Sequence, residues 1–208
     1  GSIHGLYLDW MRFVTDQTID FMRHEVEAVR AFSDLPVTTN LMGSFYGLDS
    51  FRFARVLDFA SYDSYPSWGE TSDYSIALGA GFQYDITRSI LNKPWILMES
   101  TPSMVNWKEI CQPKRPGMHL ASSLLTVAHG SDSVMYFQWR KSRGAAEKFH
   151  GAVVGHERSE HTRVFRDVTE VGECLERILP VLHARTEARA ALMFDWNNRW
   201  AIANANGP

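Results

Sequence analysis

Residues 94–103 read PWILMESTPS, and this stretch decides the fold class. Residues 94–98 are continuously apolar, but the run is too short for a helix, and proline, serine and threonine residues flank it. A run of this kind is typical of a strand that is buried on both faces of a parallel sheet. The strand ends in Glu99, so the sequence predicts a carboxylate at the tip of a buried strand.

Strands and helices alternate on either side of this run. Predicted strands cover residues 35–40, 58–62, 94–99, 132–138 and 188–194, and predicted helices cover residues 9–32, 51–57, 75–91, 117–129 and about 160–179. Alternation of this kind implies parallel strands joined by right-handed crossovers. The sequence therefore predicts an α/β fold.

The composition excludes several classes of function for this chain. The chain has 208 residues and a net charge of −3, with 21 basic against 24 acidic residues, which argues against a nucleic-acid partner. No apolar run reaches the ~20 residues that a membrane span requires. The two cysteines are too few for a disulfide scaffold or a zinc site, so a cytoplasmic location is expected. No glycine-rich nucleotide motif is present, and we expect neither a cofactor nor a metal.

Functional groups of βα folds lie at the carboxyl ends of the strands. Glu99 has that position and is a candidate catalytic carboxylate; the alternative is a structural glutamate paired with an arginine such as Arg140. Tyr65 follows the preceding strand, where its hydroxyl can hydrogen-bond Glu99 and favour the ionised carboxylate. The alternative for Tyr65 is an aromatic residue packed on the rim of the fold.

Aromatic residues are abundant, with 7 Trp, 7 Tyr and 12 Phe. Sugar-binding pockets use flat rings against the apolar faces of pyranoses, which hints at a carbohydrate site, but composition alone favours an aromatic-rich core. Trp107 follows Glu99 and is placed to stack on a sugar ring. Glu147 and His150, three residues apart, suit sugar hydroxyls; a metal-dependent enzyme that uses this pair is a further alternative.

Several motifs together resemble the β-galactosidases of glycoside hydrolase family 42. They are residues 8–10 (LDW), 37–40 (VTTN), 98–107 (MESTPSMVNW), 115–118 (RPGM), 127–140 (VAHGSDSVMYFQWR) and 142–152 (SRGAAEKFHGA). The resemblance implies a (β/α)8 TIM barrel that hydrolyses terminal β-D-galactosides with retention of configuration. An α/β trimerisation domain follows that barrel. By the same resemblance Glu99 is the nucleophile, Tyr65 lies beside it, and Trp107, Glu147 and His150 bind the sugar.

The chain departs from the family pattern at the second carboxyl group. The family's acid/base residue is a Glu that follows an Asn, and no Asn-Glu dipeptide occurs in this sequence. We therefore expect only the second half of the barrel (strands 5–8) in residues 1–184, and in residues 185–208 the start of the next domain, with one strand and a polar aromatic loop at 195–200.

Half a barrel leaves unpaired strand edges, which we expect near Val37 and Val134. The expected partners are the missing amino-terminal half of the barrel and further copies of the chain, which form a trimer in the parent enzyme. The fragment alone is predicted to be inactive. The alternative function is a non-catalytic sugar-binding or assembly fragment.

Overall fold

The computed structural model describes residues 3–205. Its helices are α1 (His4–Arg30), α2 (Ser50–Phe53), α3 (Asp73–Leu91), α4 (Met118–Ala128), α5 (Arg163–Arg177) and α6 (Trp196–Ala205). Its strands are β1 (Ser61–Asp63), β2 (Trp95–Glu99) and β3 (Ser131–Val134), and 3₁₀ turns cover Ala54–Val56 and Leu179–Val181. Helices and strands alternate, which confirms the predicted α/β class.

The three strands form one parallel sheet in the order β1–β2–β3. Helix α3 connects β1 to β2, and α4 connects β2 to β3. Asp63 is the register partner of Glu99, so the last residues of β1 and β2 lie side by side. The carboxyl ends of the strands therefore share one edge of the sheet, as the sequence predicts.

The central strand β2 carries the core. Trp95 and Leu97 are buried, and they pack with a cluster that includes Tyr84 of α3. The Trp95 ring stacks on Tyr84 at 5.3 Å, and its indole N–H donates to the carbonyl of His129 at 3.1 Å. Burying a large apolar side chain contributes about 1.5–3 kcal/mol, so this central strand is a rigid support for Glu99 at its tip.

Helix α1 begins five residues before its predicted start and ends two residues before its predicted end. One face is buried through Met11, Thr15, Ile19 and Met22, whereas apolar side chains on the rest of its surface, Phe21 among them, are exposed. Although α1 has 27 residues, no helix within residues 3–205 combines the length and apolarity needed to cross a membrane.

The prediction of a strand at residues 35–40 is wrong. The segment runs beside β1, but side chains make several of the hydrogen bonds between the two, and no regular ladder of backbone hydrogen bonds forms. The backbone N–H of Val37 donates to the Asp58 carboxylate, and the Ser61 hydroxyl donates to the carbonyl of Thr39. Two backbone bonds remain, one of them from Asp63 N–H to the carbonyl of Leu41 at 3.0 Å. These hydrogen bonds hold residues 35–40 beside β1 although the segment is not a β-strand.

The last predicted strand of the barrel is shorter than expected. β3 ends at Val134, although Met135 and Phe137 still donate backbone hydrogen bonds to Leu97 and Ser100. Within the described residues no strand pairs with the outer edge of β3.

The carboxyl-terminal prediction is corrected at two points. Residues 188–194 form no strand, because no neighbouring strand within residues 3–205 pairs with them. The predicted loop at 195–200 is instead the start of helix α6, which the Asp195 carboxylate caps by accepting from Asn198 N–H at 2.6 Å. Trp196 and Trp200 of this helix are buried and pack with Met11 of α1.

Candidate active site

Glu99 ends β2 with both carboxylate oxygens hydrogen-bonded to neutral donors. The Tyr65 hydroxyl donates to Oε2 at 2.8 Å, and the Asn40 side-chain amide donates to Oε1 at 3.0 Å. The backbone N–H of Ser64 donates to the carbonyl of Glu99 at 2.9 Å, which aligns the segment that carries Tyr65. Glu99 is half-buried, so its carboxylate is both fixed in position and open to the solvent side.

The Glu99 carboxylate forms no ion pair within the part of the chain that the structure describes. Among residues 3–205 no Lys, Arg or His lies within ion-pair distance of Glu99, and the alternative of a structural pair with Arg140 is therefore wrong for this part of the chain. Burial, together with the bond to Glu99, raises the pKa of Tyr65 far above its ordinary value of 10. Tyr65 therefore remains a proton donor at neutral pH.

Three aromatic rings group beside Glu99. Trp107 lies edge-on to Tyr65 at 5.0 Å, and its plane is 31° from that of His150 at 5.2 Å. The Trp107 side chain is 54% exposed, so part of the indole surface remains open to a ligand. The predicted residues Tyr65, Trp107 and His150 thus form one contiguous group with Glu99.

His150 is fully buried, and its ring lies edge-on to Phe137 at 5.1 Å. Nδ1 is 3.4 Å from the Asn106 side-chain oxygen, whereas Nε2 has no hydrogen-bond partner among the described residues. Burial lowers the pKa of His150 below its ordinary value of 6.5, against the opposing effect of the Glu147 charge. At neutral pH the imidazole is uncharged, and its buried Nε2 is a polar atom left unsatisfied within residues 3–205, next to the Glu99 group.

Glu147 joins this group through its backbone. Its carbonyl accepts from His150 N–H at 3.0 Å and from the Gln138 side-chain amide at 3.4 Å. The carboxylate itself is exposed, at the end of the segment that leads to His150. Glu147 and His150 thus lie on a single turn of chain, with one buried and one exposed polar group.

The loop after β2 is anchored at several backbone atoms. The Met104 carbonyl accepts from the Thr101 hydroxyl at 2.7 Å and from Gly151 N–H at 2.8 Å. A Cβ at Gly151 would lie 2.6 Å from that carbonyl, so only glycine permits this approach. The Asn106 amide donates to the carbonyl of Ala146 at 2.6 Å. These bonds hold the segment of Trp107 against the segment of His150.

A buried lysine supports the same loop. Lys114 donates to the carbonyl of Thr101 at 2.6 Å and lies 3.2 Å from Nδ1 of His119, whose Nε2 is 3.2 Å from the Tyr136 hydroxyl. Burial lowers the pKa of Lys114 to about 7, and burial with the Lys114 charge lowers that of His119 to about 3. Because Lys114 forms no ion pair among residues 3–205, it is a costly group in this position.

Two residues beside Glu99 are absent from the predicted site. Asn40 bridges Glu99 and Asp63, and Asp63 is the register partner of Glu99. Burial and the Glu99 charge raise the pKa of Asp63 to about 6, although the Asn40 hydrogen bond opposes the shift. Both residues follow the ends of extended segments, and the rule that selected Glu99 and Tyr65 applies equally to them.

The alternative of a metal site at Glu147 and His150 requires further ligands. Within residues 3–205 no group of three or more His, Cys, Asp or Glu side chains is arranged to hold a metal ion. The donor set around Glu99 consists of a phenol, an amide and aromatic rings, which suits sugar hydroxyls and the apolar face of a pyranose.

Comparisons with known proteins agree on one family. The glycoside hydrolase family 42 model, described as β-galactosidase, matches residues 2–178. The β-galactosidase BglY of Alicyclobacillus acidocaldarius is 57% identical over 100% of this chain and 30% of its own length. The β-galactosidase Pbg of Clostridium perfringens is 52% identical over 100% of this chain and 31% of its own. The chain thus spans about 30% of the length of these curated relatives.

Solved structures give the same result. A β-galactosidase from Rahnella sp. R3 has a TM-score of 0.96 and 50% identity, covering 100% of this chain and 31% of that one. A catalytic mutant of Gan42B, a family 42 β-galactosidase from G. stearothermophilus in which alanine replaces a glutamate, has a TM-score of 0.96 and 47% identity over 99% and 31%. The chain therefore belongs to the family 42 β-galactosidases, which are TIM-barrel enzymes.

Proposed function

We propose that this chain is the nucleophile-bearing part of a retaining β-galactosidase, with Glu99 as the nucleophile. One observation carries the proposal: Glu99 ends a buried parallel strand and accepts from Tyr65 and Asn40 without any ion pair among residues 3–205. Neutral donors hold a carboxylate ionised and oriented, whereas a cationic partner would oppose its attack on carbon. The relatives' names and the catalytic glutamate mutant of Gan42B support the proposal.

In this proposal the reaction has two steps. A Glu99 oxygen attacks the anomeric carbon while the bond from that carbon to the leaving oxygen breaks, and the leaving oxygen takes a proton from an acid. Water then attacks the same carbon, gives a proton to the residue that protonated the leaving oxygen and now acts as base, and releases Glu99, so two inversions give net retention. Tyr65 and Asn40 hold the carboxylate in line for the first attack.

The acid/base residue lies outside these 208 residues in this proposal. Retaining hydrolysis needs two carboxyl groups about 5–5.5 Å apart, with room for the glycosidic oxygen. Asp63 does not suit this role, because its two oxygens already accept from Asn40, which also bonds Glu99. The chain also spans only about 30% of its curated relatives. We accordingly propose that residues 1–184 supply strands 5–8 of the barrel and that the isolated chain is inactive.

The sugar-binding groups have separate roles. Trp107 offers an exposed indole for the apolar face of galactose, and the uncharged His150 presents Nε2 to a hydroxyl. The Glu147 carboxylate accepts from a second hydroxyl. Assembly into a trimer through the domain that begins after residue 184 belongs to the same proposal, and light scattering of the complete enzyme tests it directly.

The experiment uses the complete enzyme, meaning a full-length family 42 polypeptide that contains residues 1–208. Glu99→Gln should reduce turnover of an aryl β-galactoside by at least a thousandfold, and proton NMR of the unsubstituted enzyme should show the β-anomer as the first sugar product. Glu109→Gln, at an exposed glutamate on the same loop, is the matched control. Retained turnover in Glu99→Gln, or an α-anomer as first product, contradicts the proposal.

A further inference from the structure

Asn40 connects two carboxylates that end neighbouring strands. Its side-chain nitrogen lies 2.9 Å from both Oδ1 and Oδ2 of Asp63 and 3.0 Å from Oε1 of Glu99. Because Asp63 and Glu99 are register partners at the carboxyl ends of β1 and β2, the backbone fixes the separation that this one amide bridges.

Two carboxylates in this arrangement repel each other. Asp63 is half-buried, and among residues 3–205 it has no ion pair with Lys, Arg or His. Like charges at close range in a poorly solvated position are costly unless a donor lies between them. A cationic side chain would relieve the repulsion but would also neutralise Glu99, whereas an amide supplies hydrogens without adding charge.

The second carboxylate also determines which end of the amide faces Glu99. An asparagine side chain presents a donor nitrogen at one end and an acceptor oxygen at the other. With only Glu99 nearby, rotation of the exposed Asn40 side chain would turn its oxygen inward for part of the time. Both oxygens of Asp63 accept from the nitrogen, and this selects the orientation that also serves Glu99.

We propose that Asp63 is a positioning residue for Glu99 that acts through Asn40: the Asp63 carboxylate holds the Asn40 amide nitrogen toward Glu99 Oε1, while Tyr65 occupies Oε2. This inference rests on the proposed function of Glu99 and adds the residue that keeps its second donor in place. Asp63 is not a catalytic residue here, because its oxygens are directed to the amide. Its raised pKa, about 6, leaves it ionised at neutral pH, as this role requires.

A double-mutant cycle in the complete enzyme tests the connection. Asn40→Ala should lower kcat/KM for an aryl β-galactoside by about 10–100-fold, the loss expected for one hydrogen bond to a charged group. Asp63→Asn should lower it by about tenfold. If Asp63 acts through Asn40, kcat/KM of the double variant should be within about twofold of that of Asn40→Ala, because without the Asn40 amide Asp63 no longer affects Glu99. Asp132→Asn, at an aspartate in β3, is the control.

The outcomes separate the inference from the function on which it rests. If the losses of the two single variants multiply in the double variant, or if Asp63→Asn leaves kcat/KM unchanged, the inference is overturned and Glu99 remains the nucleophile. Retained turnover in Glu99→Gln, whatever the other variants show, would instead overturn the proposed function. Circular dichroism verifies the fold of each variant.

An independent variant keeps the test decisive if Asp63→Asn does not fold. Asn40→Leu changes an exposed side chain to one of similar shape that has no hydrogen to donate at any pH. A loss at least as large as that of Asn40→Ala supports the bridge. A rate equal to that of the unsubstituted enzyme overturns it.

Discussion

The Tyr65 hydroxyl donates a 2.8 Å hydrogen bond to Oε2 of Glu99 from the segment that directly follows β1. The bond joins the ends of two neighbouring parallel strands, and the backbone bond from Ser64 N–H to the carbonyl of Glu99 reinforces it. A phenol that donates in this way fixes the direction of the carboxylate.

The first prediction concerns this hydroxyl. In the complete enzyme, Tyr65→Phe should lower kcat/KM by about 10–100-fold, because the Glu99 carboxylate loses a hydrogen-bond donor that orients it. Steady-state kinetics measure the effect, with Tyr74→Phe at an exposed tyrosine as control. A kcat/KM equal to that of the unsubstituted enzyme would contradict the role assigned to Tyr65.

The second prediction concerns the glycine beneath the site. Gly151→Ala should destabilise the fold by ~1–3 kcal/mol and reduce activity, since the added Cβ lies within 2.6 Å of the Met104 carbonyl and the Thr101 hydroxyl. Gly79→Ala is the matched control, because nothing lies within 4 Å of its added Cβ in the middle of α3. That change should stabilise the protein by about 0.5–1 kcal/mol. Chemical denaturation measures both, and equal effects would refute the close approach at Gly151.

The third prediction is a pH dependence of stability from Asp63. The pKa of this carboxyl is raised from 3.8 to about 6 by folding. Between these values the folded state binds a proton that the unfolded chain has released, so stability falls as the pH rises toward 6. Asp63→Asn removes this loss, and its Tm relative to the unsubstituted protein should be higher at pH 7.5 than at pH 4. A difference that shrinks as the pH rises would contradict the raised pKa.

The fourth prediction has the opposite sign and concerns Lys114. Burial lowers its pKa from 10.5 to about 7, so the folded state must hold a buried ammonium only below about pH 7. From pH 7 toward 10 the unfolded chain binds the proton that the folded state has lost, and stability rises with pH. Lys114→Met removes the penalty, and its Tm gain should be larger at pH 6 than at pH 9. Lys93→Met at an exposed lysine is the control, and a larger gain at pH 9 would exclude the assignment.

The sequence predicts the parts of the fold that depend on local pattern. The apolar run 94–98 predicts β2, because burial on both faces leaves a continuous hydrophobic signal. Tyr65 and Glu99 follow from the rule that parallel strands end at a common edge. Segment 35–40 has a strand-like composition, but several of its hydrogen bonds with residues 58–61 involve a side chain of one segment or the other, which no pattern within the segment reveals.

Two features depend on longer-range contacts. Helix α6 has a capping signal in Asp195 and places Trp196 and Trp200 one turn apart. Its polar residues favour a loop in the sequence, whereas the packing of both tryptophans against α1 stabilises a helix. The bridge from Asn40 to Asp63 and Glu99 depends on the register of β1 with β2 and on the neighbouring extended segment. The sequence pattern of one segment does not specify its alignment with the neighbouring segments, so the contact of Asn40 with Glu99 was not predicted.

Covalent trapping tests the central claim most directly. A 2-deoxy-2-fluoro-β-galactoside with an activated leaving group should form a stable ester in the complete enzyme, since fluorine slows both formation and hydrolysis of the glycosyl-enzyme, whereas the good leaving group speeds its formation alone. Peptide mass spectrometry should then place the fluorogalactosyl group on Glu99. A label on any other residue, or no label in an enzyme that turns over galactosides, would contradict the account.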